Sequence, residues 1–204
     1  RETIKNKSRE KDITYQQLCH VIPELKPKTI LEIGCCNGYR LSWLSEDFSV
    51  NCIGLEPSLM AIKDGKNRFQ QNKNLELIAT KVDLEFWTSG FNNLFKDNSL
   101  DMVIFGHCFY LISPEMYFLI TYQIDRVLRE HGVIVIFDFD SSPQRREYHP
   151  YQAEKMWSYK MDFSQLFSRH PMYKLISKSF VNYEQGLSVG NAHNDCSLSM
   201  IRKI

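Results

Sequence analysis

The residues best suited to chemistry lie where a short apolar run turns into a helical pattern. The run Thr29–Ile33 is followed by the short segment 34–38, whose first and last residues are glycine. Glycines at such a turn let the backbone approach a ligand closely and adopt a positive φ. A second apolar run, Asn51–Glu56, ends on a carboxylate, which can accept hydrogen bonds from both hydroxyl groups of a ribose. The pattern predicts a site for a ribose-bearing ligand.

The same turn distinguishes between kinds of ribose-bearing ligand. A dinucleotide site would need a small residue at the third position of its glycine fingerprint, where this chain has the bulky Tyr39. A P-loop would need Gly-Lys-Ser/Thr, which the turn lacks. A ligand with a ribose but no phosphates fits better, and S-adenosylmethionine is such a ligand. An NAD-dependent oxidoreductase is therefore disfavoured.

Alternating strands and helices must position this turn. Continuous apolar runs predict five strands, over residues 29–33, 51–56, 75–80, 101–106 and 133–139. Such strands, separated by amphipathic helices, indicate a doubly wound α/β fold whose parallel sheet is covered on both faces. In this fold the ligand site lies beyond the carboxyl ends of the strands.

Two helices carry clear boundary signals. The first is predicted to follow an Asp12 cap and to be closed by Pro23 and Pro27. The helix before the fifth strand is predicted to start from a Ser113 cap and to end at Gly132, which suits a left-handed cap.

The remaining segments complete one predicted domain over residues 1–204. Residues 1–11 are mostly polar and are expected to form a solvated lead-in. Residues 141–172 leave the end of a central strand, so we expect them to overhang the site as a substrate lid. Residues 175–183 and 196–204 are predicted to pair as antiparallel strands at the edge of the sheet.

Composition narrows the class of protein. The 204 residues include 25 Lys and Arg against 24 Asp and Glu, so the chain has no global field for nucleic acid or an anionic membrane. Six cysteines show no C-x-x-C pair, which disfavours a metal site and indicates reduced thiols. No apolar run is long enough to span a bilayer, and the charged start lacks a signal-peptide pattern. We expect a cytoplasmic protein.

Four segments together carry a resemblance to a known family. ILEIGCCNG at 30–38 resembles the first motif of class I S-adenosylmethionine-dependent methyltransferases, usually E/D-x-G-x-G-x-G. IGLEPS at 53–58 is similar to the second motif, NSLDMVIF at 98–105 to the fourth-strand motif, and LREHGVIVI at 128–136 to the segment leading into strand 5. The resemblance covers about residues 12–140, and the terminal strand pair in outline.

The resemblance implies a seven-stranded sheet with an antiparallel last strand, S-adenosylmethionine as cofactor and S-adenosylhomocysteine as product. It implies that Glu32 steadies the cofactor's amino group and that Glu56 holds its ribose. The implied cofactor-binding residues are Glu32, Gly34, Cys35, Cys36, Asn37, Gly38, Glu56, Pro57, Val82, Asp83, Gly106 and His107. Cys36 departs from the family pattern, because it stands where the middle glycine is usual.

The acceptor side is less determined by the residues. His107, which follows strand 4, is the candidate general base, and its alternative role is a packed histidine. The candidate substrate-binding residues are Tyr110, Asp138, Arg145, Tyr148 and His149. Each has an alternative as a core, capping or solvated side chain. Arg40 is either a partner for the cofactor's carboxylate or a surface residue of its helix.

The predicted function is methyl transfer to an oxygen or nitrogen of a small polar metabolite. A nucleic-acid acceptor is disfavoured, because residues 106–109 lack the Asn/Asp-Pro-Pro-aromatic motif of many such enzymes. The stretch after strand 4 is similar to that of bacterial methyltransferases associated with surface-glycan modification, which suggests a sugar or polysaccharide building block. The alternative is a non-catalytic, cofactor-binding partner subunit. Cys36 supports this alternative because it replaces the middle glycine of the turn.

Overall fold

The fold is described from a computed structural model, for residues 8–148, 156–182, 186–187 and 195–204. The α-helices are α1 (Ile13–Leu25), α2 (Tyr39–Phe48), α3 (Leu59–Arg68), α4 (Phe91–Leu94), α5 (Tyr117–Val127) and α6 (Gln165–Ser168). A π-helical turn, Phe86–Gly90, leads into α4, and 3-10 turns lie at Phe109–Leu111 and Pro114–Met116.

The strands of the main sheet are β1 (Thr29–Ile33), β2 (Asn51–Glu56), β3 (Leu75–Ala79), β4 (Leu100–Gly106), β5 (Leu128–Phe139), β8 (Tyr173–Asn182), β9 (Gly186–Leu187) and β10 (Asp195–Lys203). A separate hairpin, β6 (Arg145–Tyr148) with β7 (Trp157–Lys160), follows β5.

The order of the main sheet is β3-β2-β1-β4-β5-β10-β8, with the two-residue β9 at the edge. β1 to β5 pair in parallel, whereas β10 is antiparallel to both β5 and β8. This confirms the doubly wound, mostly parallel seven-stranded sheet with an antiparallel last strand. The short β9 adds an eighth strand that the sequence does not predict.

The register brings the functional ends of the strands together. Ile33, the last residue of β1, pairs with Leu55 on one side and with Phe105 on the other. The chain therefore leaves β1, β2 and β4 at the same edge, where Gly34, Glu56 and Gly106 lie. This is the edge where a doubly wound sheet places its ligand.

Both faces of the sheet are covered, which explains the continuous apolar strands. On β1, Ile30 packs with α1 and α2, whereas Leu31 and Ile33 pack with α5 and the aromatic segment that ends in α4. Side chains alternate between the faces of a strand, so Glu32 lies on the α1–α2 side with Ile30. Each fully buried large apolar side chain contributes roughly 1.5–3 kcal/mol.

Two predicted helix boundaries are wrong. α1 runs past Pro23 to Leu25 and ends at Lys26, whose φ is 47° and whose N–H bonds to Ile22. α5 ends at Val127, because the backbone of Leu128 is already extended and pairs with Leu100.

The predicted left-handed cap at Gly132 is also wrong, since the left-handed residue is His131 at φ 63°. The sequence did not predict the boundary between α5 and β5, because Leu128 is fully buried. A buried leucine suits the apolar face of a helix and the start of a strand equally well.

The predicted lead-in lies partly outside the described residues. Of its residues, 8–11 are described, and Arg9 forms ion pairs with Glu46 and Asp47 of α2 at 2.8 and 2.9 Å. No helix in the described part of the chain is long and apolar enough to cross a membrane.

Candidate active site

The glycine turn after β1 adopts left-handed backbone at three positions. Gly34 and Gly38 both have φ 76°, and Cys36 has φ 55°. A Cβ atom on Gly34 would lie 2.9 Å from that of Cys108, and one on Gly38 would lie 2.5 Å from Leu77. Both glycines are therefore required by conformation and by close packing.

Cys36 is the strained member of the turn. A left-handed conformation costs a residue with a Cβ roughly 1–2 kcal/mol. The Cys36 N–H donates to Oε2 of Glu56 at 3.0 Å, which fixes the turn against the end of β2.

Glu56 joins the turn to the start of α3. Its Oε1 accepts a hydrogen bond from the Ser58 N–H at 2.9 Å, so each carboxylate oxygen has one backbone donor. An ionised carboxylate has about four acceptor positions, so it can accept two further hydrogen bonds. The partly buried carboxylate fits the two hydroxyl groups of a ribose.

Two other residues of the turn direct their side chains into the protein. Cys35 is buried, and its Sγ lies where a Cβ on Gly54 would approach within 2.5 Å. Burial, with a contribution from Glu32, raises the pKa of the Cys35 thiol, so it stays protonated. Asn37 donates from Nδ2 to Asp64 of α3 at 2.8 Å. Both side chains hold the turn in place.

Behind the turn lies a buried ion network centred on Arg40. Its guanidinium pairs with Glu32 and with Asp12, the Asp12 contacts being 3.0 and 3.1 Å. Burial alone would lower the pKa of Arg40, but Glu32 and Asp12 outweigh it and raise that pKa. A Cβ on Gly106 would lie 2.6 Å from Arg40 Nη1, so the end of β4 packs directly on this network.

The surface alternative for Arg40 is wrong, because the residue is only 7% exposed. The burial of Arg40 could have been predicted from the sequence. Arg40 precedes the inward-facing Leu44 by four residues, so both lie on the same face of α2. Asp12, expected only as a helix cap, does cap α1 through the Tyr15 N–H at 2.8 Å and is also an Arg40 partner. Glu32 thus has a partner within the protein, and its contact with a cofactor's amino group stays a prediction.

A cavity of about 290 Å³ opens where α1, α2 and the end of β4 meet. Its lining residues are Lys11, Asp12, Ile13, Thr14, Tyr39, Arg40, Gly106, His107, Phe137 and Val181. The Thr14 hydroxyl is buried and has no hydrogen-bond partner among the described residues. The sequence offered no signal for Thr14, whose place at the cavity depends on how α1 docks.

His107 lies in this cavity with a left-handed backbone of φ 63°. Its N–H donates to the Phe137 carbonyl at 2.6 Å, and its ring centroid lies 4.8 Å from those of Tyr110 and Phe139. Nδ1 lies 3.9 Å from Oδ1 of Asp138, and 23% of the side chain is exposed. The structure therefore brings His107, Tyr110 and Asp138 together.

Asp138 is a buried carboxyl, 1% exposed, and is not among the residues that line the cavity. It accepts hydrogen bonds from the Phe139 N–H at 2.8 Å and the Tyr110 N–H at 3.3 Å. Burial raises its pKa to about 7, against the lowering effect of these backbone donors. A carboxyl that titrates near neutral pH beside a histidine can tune or orient that histidine.

The residues predicted to contact an adenine occupy the far side of the site. Asp83 accepts a hydrogen bond from the Phe86 N–H at 3.0 Å and so caps the helical segment that follows. Val82 is partly buried against the aromatic core, and Pro57 is exposed. Their contacts with a ligand stay predictions.

The predicted lid is anchored in two ways. Lys178 of β8 pairs with Asp140 at 2.5 Å and with Asp162 at 2.8 Å, and so links both ends of the hairpin region to the sheet. Phe163 and Phe167 are buried in the core. The second half of the segment 141–172 is therefore packed structure.

The predicted substrate residues Arg145 and Tyr148 lie on β6, where the Tyr148 ring stacks on Trp157 at 3.9 Å. His149 lies outside the described residues. All six cysteines are free thiols, and within the described ranges no three His, Cys, Asp or Glu side chains gather as a metal site requires.

Comparison with known proteins shows the family. A family model described as a methyltransferase domain matches residues 31–136, just over half of the chain. The match begins in β1 and ends in β5, so it includes the glycine turn, Glu56 and His107. No protein with a curated description matches the chain.

Solved structures share the fold at low identity. The 1,6-didemethyltoxoflavin-N1-methyltransferase of Burkholderia thailandensis, with bound 1,6-didemethyltoxoflavin and S-adenosylhomocysteine, gives a TM-score of 0.71 at 13% identity, covering 99% of this chain and 81% of that one. A putative sarcosine dimethylglycine methyltransferase from Galdieria sulphuraria gives 0.65 at 14%, covering 100% and 91%. A SAM-dependent methyltransferase from Methanosarcina mazei gives 0.63 at 13%, covering 86% and 92%.

Proposed function

The chain belongs to the methyltransferase domain family and uses S-adenosylmethionine, and we propose that its acceptor is an oxygen or nitrogen atom of a small polar molecule. The observation that carries the site assignment is Glu56, whose carboxylate is fixed by two backbone N–H groups and can accept two more hydrogen bonds. We propose that Glu56 holds the ribose and that the turn 34–38 holds the methionine end. Pro57, Val82 and Asp83 complete the cofactor site on the ribose and adenine side.

The bound cofactor supplies an electrophilic methyl group, so the protein's task is mainly to position the acceptor. Orienting reactants can provide effective molarities of about 10⁵–10⁸ M. The cavity beside Gly106 and His107 has room for an acceptor next to the turn. Phe137 and Val181 contribute to the apolar part of its lining.

His107 is the proposed general base for an oxygen acceptor. Its Nδ1 lies on the side of Asp138, and we propose that Nε2 takes the hydroxyl proton as the acceptor oxygen gains the methyl group. A general base contributes roughly 10²–10⁴-fold. Tyr110 and Asp138 position the histidine ring from either side.

The acceptor is proposed to be a sugar or a surface-polysaccharide building block, or a similar polar metabolite. Arg145 and Tyr148, on the hairpin after β5, supply a cation and an aromatic face for such a molecule, and His149 extends the same segment. The Burkholderia thailandensis structure holds a small-molecule ligand, which supports a small acceptor here.

We further propose that residues 1–204 act as one domain in the cytoplasm, with residues 141–172 covering the acceptor. The free thiols support a reducing compartment. Nucleic acid and membrane surfaces are disfavoured as partners by the balanced charge of the chain.

Calorimetric titration with S-adenosylmethionine, S-adenosylhomocysteine and NAD tests the proposed use of the site. Micromolar binding of the two sulfur ligands, with no binding of NAD, is the expected result. Binding of NAD alone would overturn the cofactor assignment and leave the fold unaffected.

A second candidate function is a non-catalytic partner subunit, which the strained Cys36 favours. It predicts cofactor binding without methyl transfer to any acceptor, together with tight association with another chain. Turnover by the isolated protein would exclude it.

A further inference from the structure

A second cavity, of about 480 Å³, lies between the β6–β7 hairpin and the start of α5. Its size is in the range of small-molecule sites. The residues that matter for its chemistry are Tyr117, Phe118, Arg145, Arg146, Tyr159 and Lys160. None of them lines the cavity beside the glycine turn.

The charged side chains among the described residues that line the second cavity are all cationic. Arg145, Arg146 and Lys160 are cationic, and no carboxylate is among the described residues that line it. Lys160 pairs with Glu147, which offsets part of that charge. Arg146 forms no ion pair with a described residue, and its guanidinium lies 3.9 Å over the ring of Trp157. A guanidinium held on an aromatic face in this way is pre-oriented for a carboxylate or phosphate.

Tyr117, the first residue of α5, lines the cavity as an aromatic side chain. Its hydroxyl is buried, so it is not available to a ligand in the cavity. The N–H of Tyr117 is already bonded to the Pro114 carbonyl. The cationic side chains therefore carry the recognition of a charged ligand.

Apolar and aromatic surface completes the cavity. The Phe118 side chain is 86% exposed, although it is a large hydrophobic group, and it lines the cavity with Tyr159. A planar ring would cover this surface. The lining therefore fits a ligand with an anionic group on a planar or apolar body.

One layer of side chains separates the second cavity from His107. The Lys160 ammonium lies 4.3 Å over the ring of Phe139, and that ring lies 4.8 Å from the His107 ring. A molecule bound in the second cavity is thus next to the proposed site of methyl transfer.

We propose that the second cavity binds the anionic end of the methyl acceptor, a carboxylate or phosphate carried on a planar or apolar body. This rests on the proposed function, and it narrows a polar acceptor to an anionic one. Arg146 is the residue that recognises the anion.

Phenyl phosphate is the probe that tests this proposal, with benzoate and phenol as its carboxylate and neutral counterparts. Calorimetry is carried out on the full chain loaded with S-adenosylhomocysteine, since acceptor and cofactor must be bound together. The variant is Arg146→Gln, and the matched control is Arg169→Gln, an exposed arginine outside the cavity.

The expected result is that phenyl phosphate binds at least tenfold more tightly than phenol. Arg146→Gln weakens the binding of phenyl phosphate at least tenfold, and Arg169→Gln leaves it unchanged. Comparable binding of benzoate would extend the proposal to carboxylate acceptors, and binding of phenyl phosphate alone would restrict it to phosphates.

The proposal is overturned if phenyl phosphate does not bind, binds no better than phenol, displaces S-adenosylhomocysteine, or is unaffected by Arg146→Gln. Binding of S-adenosylhomocysteine is measured separately in every variant. If the wild-type protein does not bind S-adenosylhomocysteine, the proposed function is contradicted. Failure of the proposed function is thereby distinguished from failure of the anion site.

Discussion

At Cys36 the chain has a side chain in a backbone conformation that suits glycine. Cys36→Gly removes a left-handed cost of about 1–2 kcal/mol and adds about 0.5–1 kcal/mol of unfolded-state entropy, so we expect stability to rise by up to about 1.5 kcal/mol. Urea unfolding measures this. Cys36→Ala is the control, because it removes the thiol but keeps the strain, and it should behave like wild type. A glycine variant less stable than the alanine variant would contradict the assignment of strain.

His131, which lies far from the site, has the same unusual backbone conformation as His107 and provides a matched control. Asparagine tolerates positive φ, so His107→Asn removes the imidazole with little backbone cost. We expect turnover of an oxygen acceptor to fall about 10²–10⁴-fold, with S-adenosylhomocysteine binding retained. His131→Asn, at the same φ of 63°, should leave both unchanged. Full activity of His107→Asn would exclude the base role.

The raised pKa of Asp138 makes the stability of the folded protein depend on pH. Its folded pKa, about 7, is raised above the ordinary 3.8, so between these values the folded chain holds a proton that the unfolded chain has released. Stability therefore falls as pH rises through this window, by a total on the order of 4 kcal/mol. Asp138→Asn should abolish this loss in urea unfolding across pH 4.5–7.5, a span of about 3 units. The exposed Asp97→Asn should keep it.

The thiols and the phenol around Asp138 do not titrate in this window. Burial raises the pKa of Cys108, Tyr117 and Cys196, so these groups stay protonated across the window. An identical pH dependence in wild type and Asp138→Asn would show that the carboxyl is ionised in the folded protein.

Among the elements, the start of α1 is joined to the site by the Asp12 carboxylate. Asp12 both caps the helix and neutralises the buried Arg40. Breaking a buried ion pair by removing one partner costs about 3–5 kcal/mol, and losing a cap costs about 0.5–2 kcal/mol. We expect Asp12→Ala to lose at least about 3 kcal/mol in urea unfolding.

Ser58→Ala is the control for the loss of a cap alone, because Ser58 caps α3 through the Ala61 N–H at 3.3 Å. It should lose about 1 kcal/mol. Equal losses in the two variants would mean that the Asp12–Arg40 contact contributes no stability.

The elements also show where prediction from sequence succeeds. The bounds of β1 and β2 match the apolar runs, because turn residues flank both strands closely. The sequence predicts no element between β3 and β4, where Phe86–Gly90 and α4 lie, because aromatic burial rather than a regular period holds them. The mostly exposed strand β6 has no apolar alternation either.

For the whole molecule, the sheet topology and the edge that carries the site follow from the order of strands and helices. The gathering of Gly34, Glu56 and Gly106 follows in turn from the parallel register. The burial of Arg40 and the second cavity do not follow, because they depend on how α1 and the hairpin pack on the sheet. Such contacts between distant segments leave no periodic signal in one sequence.

Calorimetric titration of S-adenosylhomocysteine tests whether Glu56 holds the ribose of the cofactor. Hydrogen bonds to a charged group contribute about 1.5–3 kcal/mol each, so Glu56→Ala should weaken binding at least about tenfold. Glu76→Ala, an exposed glutamate on the neighbouring β3, is the control and should bind like wild type. Equal affinity of Glu56→Ala and wild type would show that Glu56 does not hold the ribose.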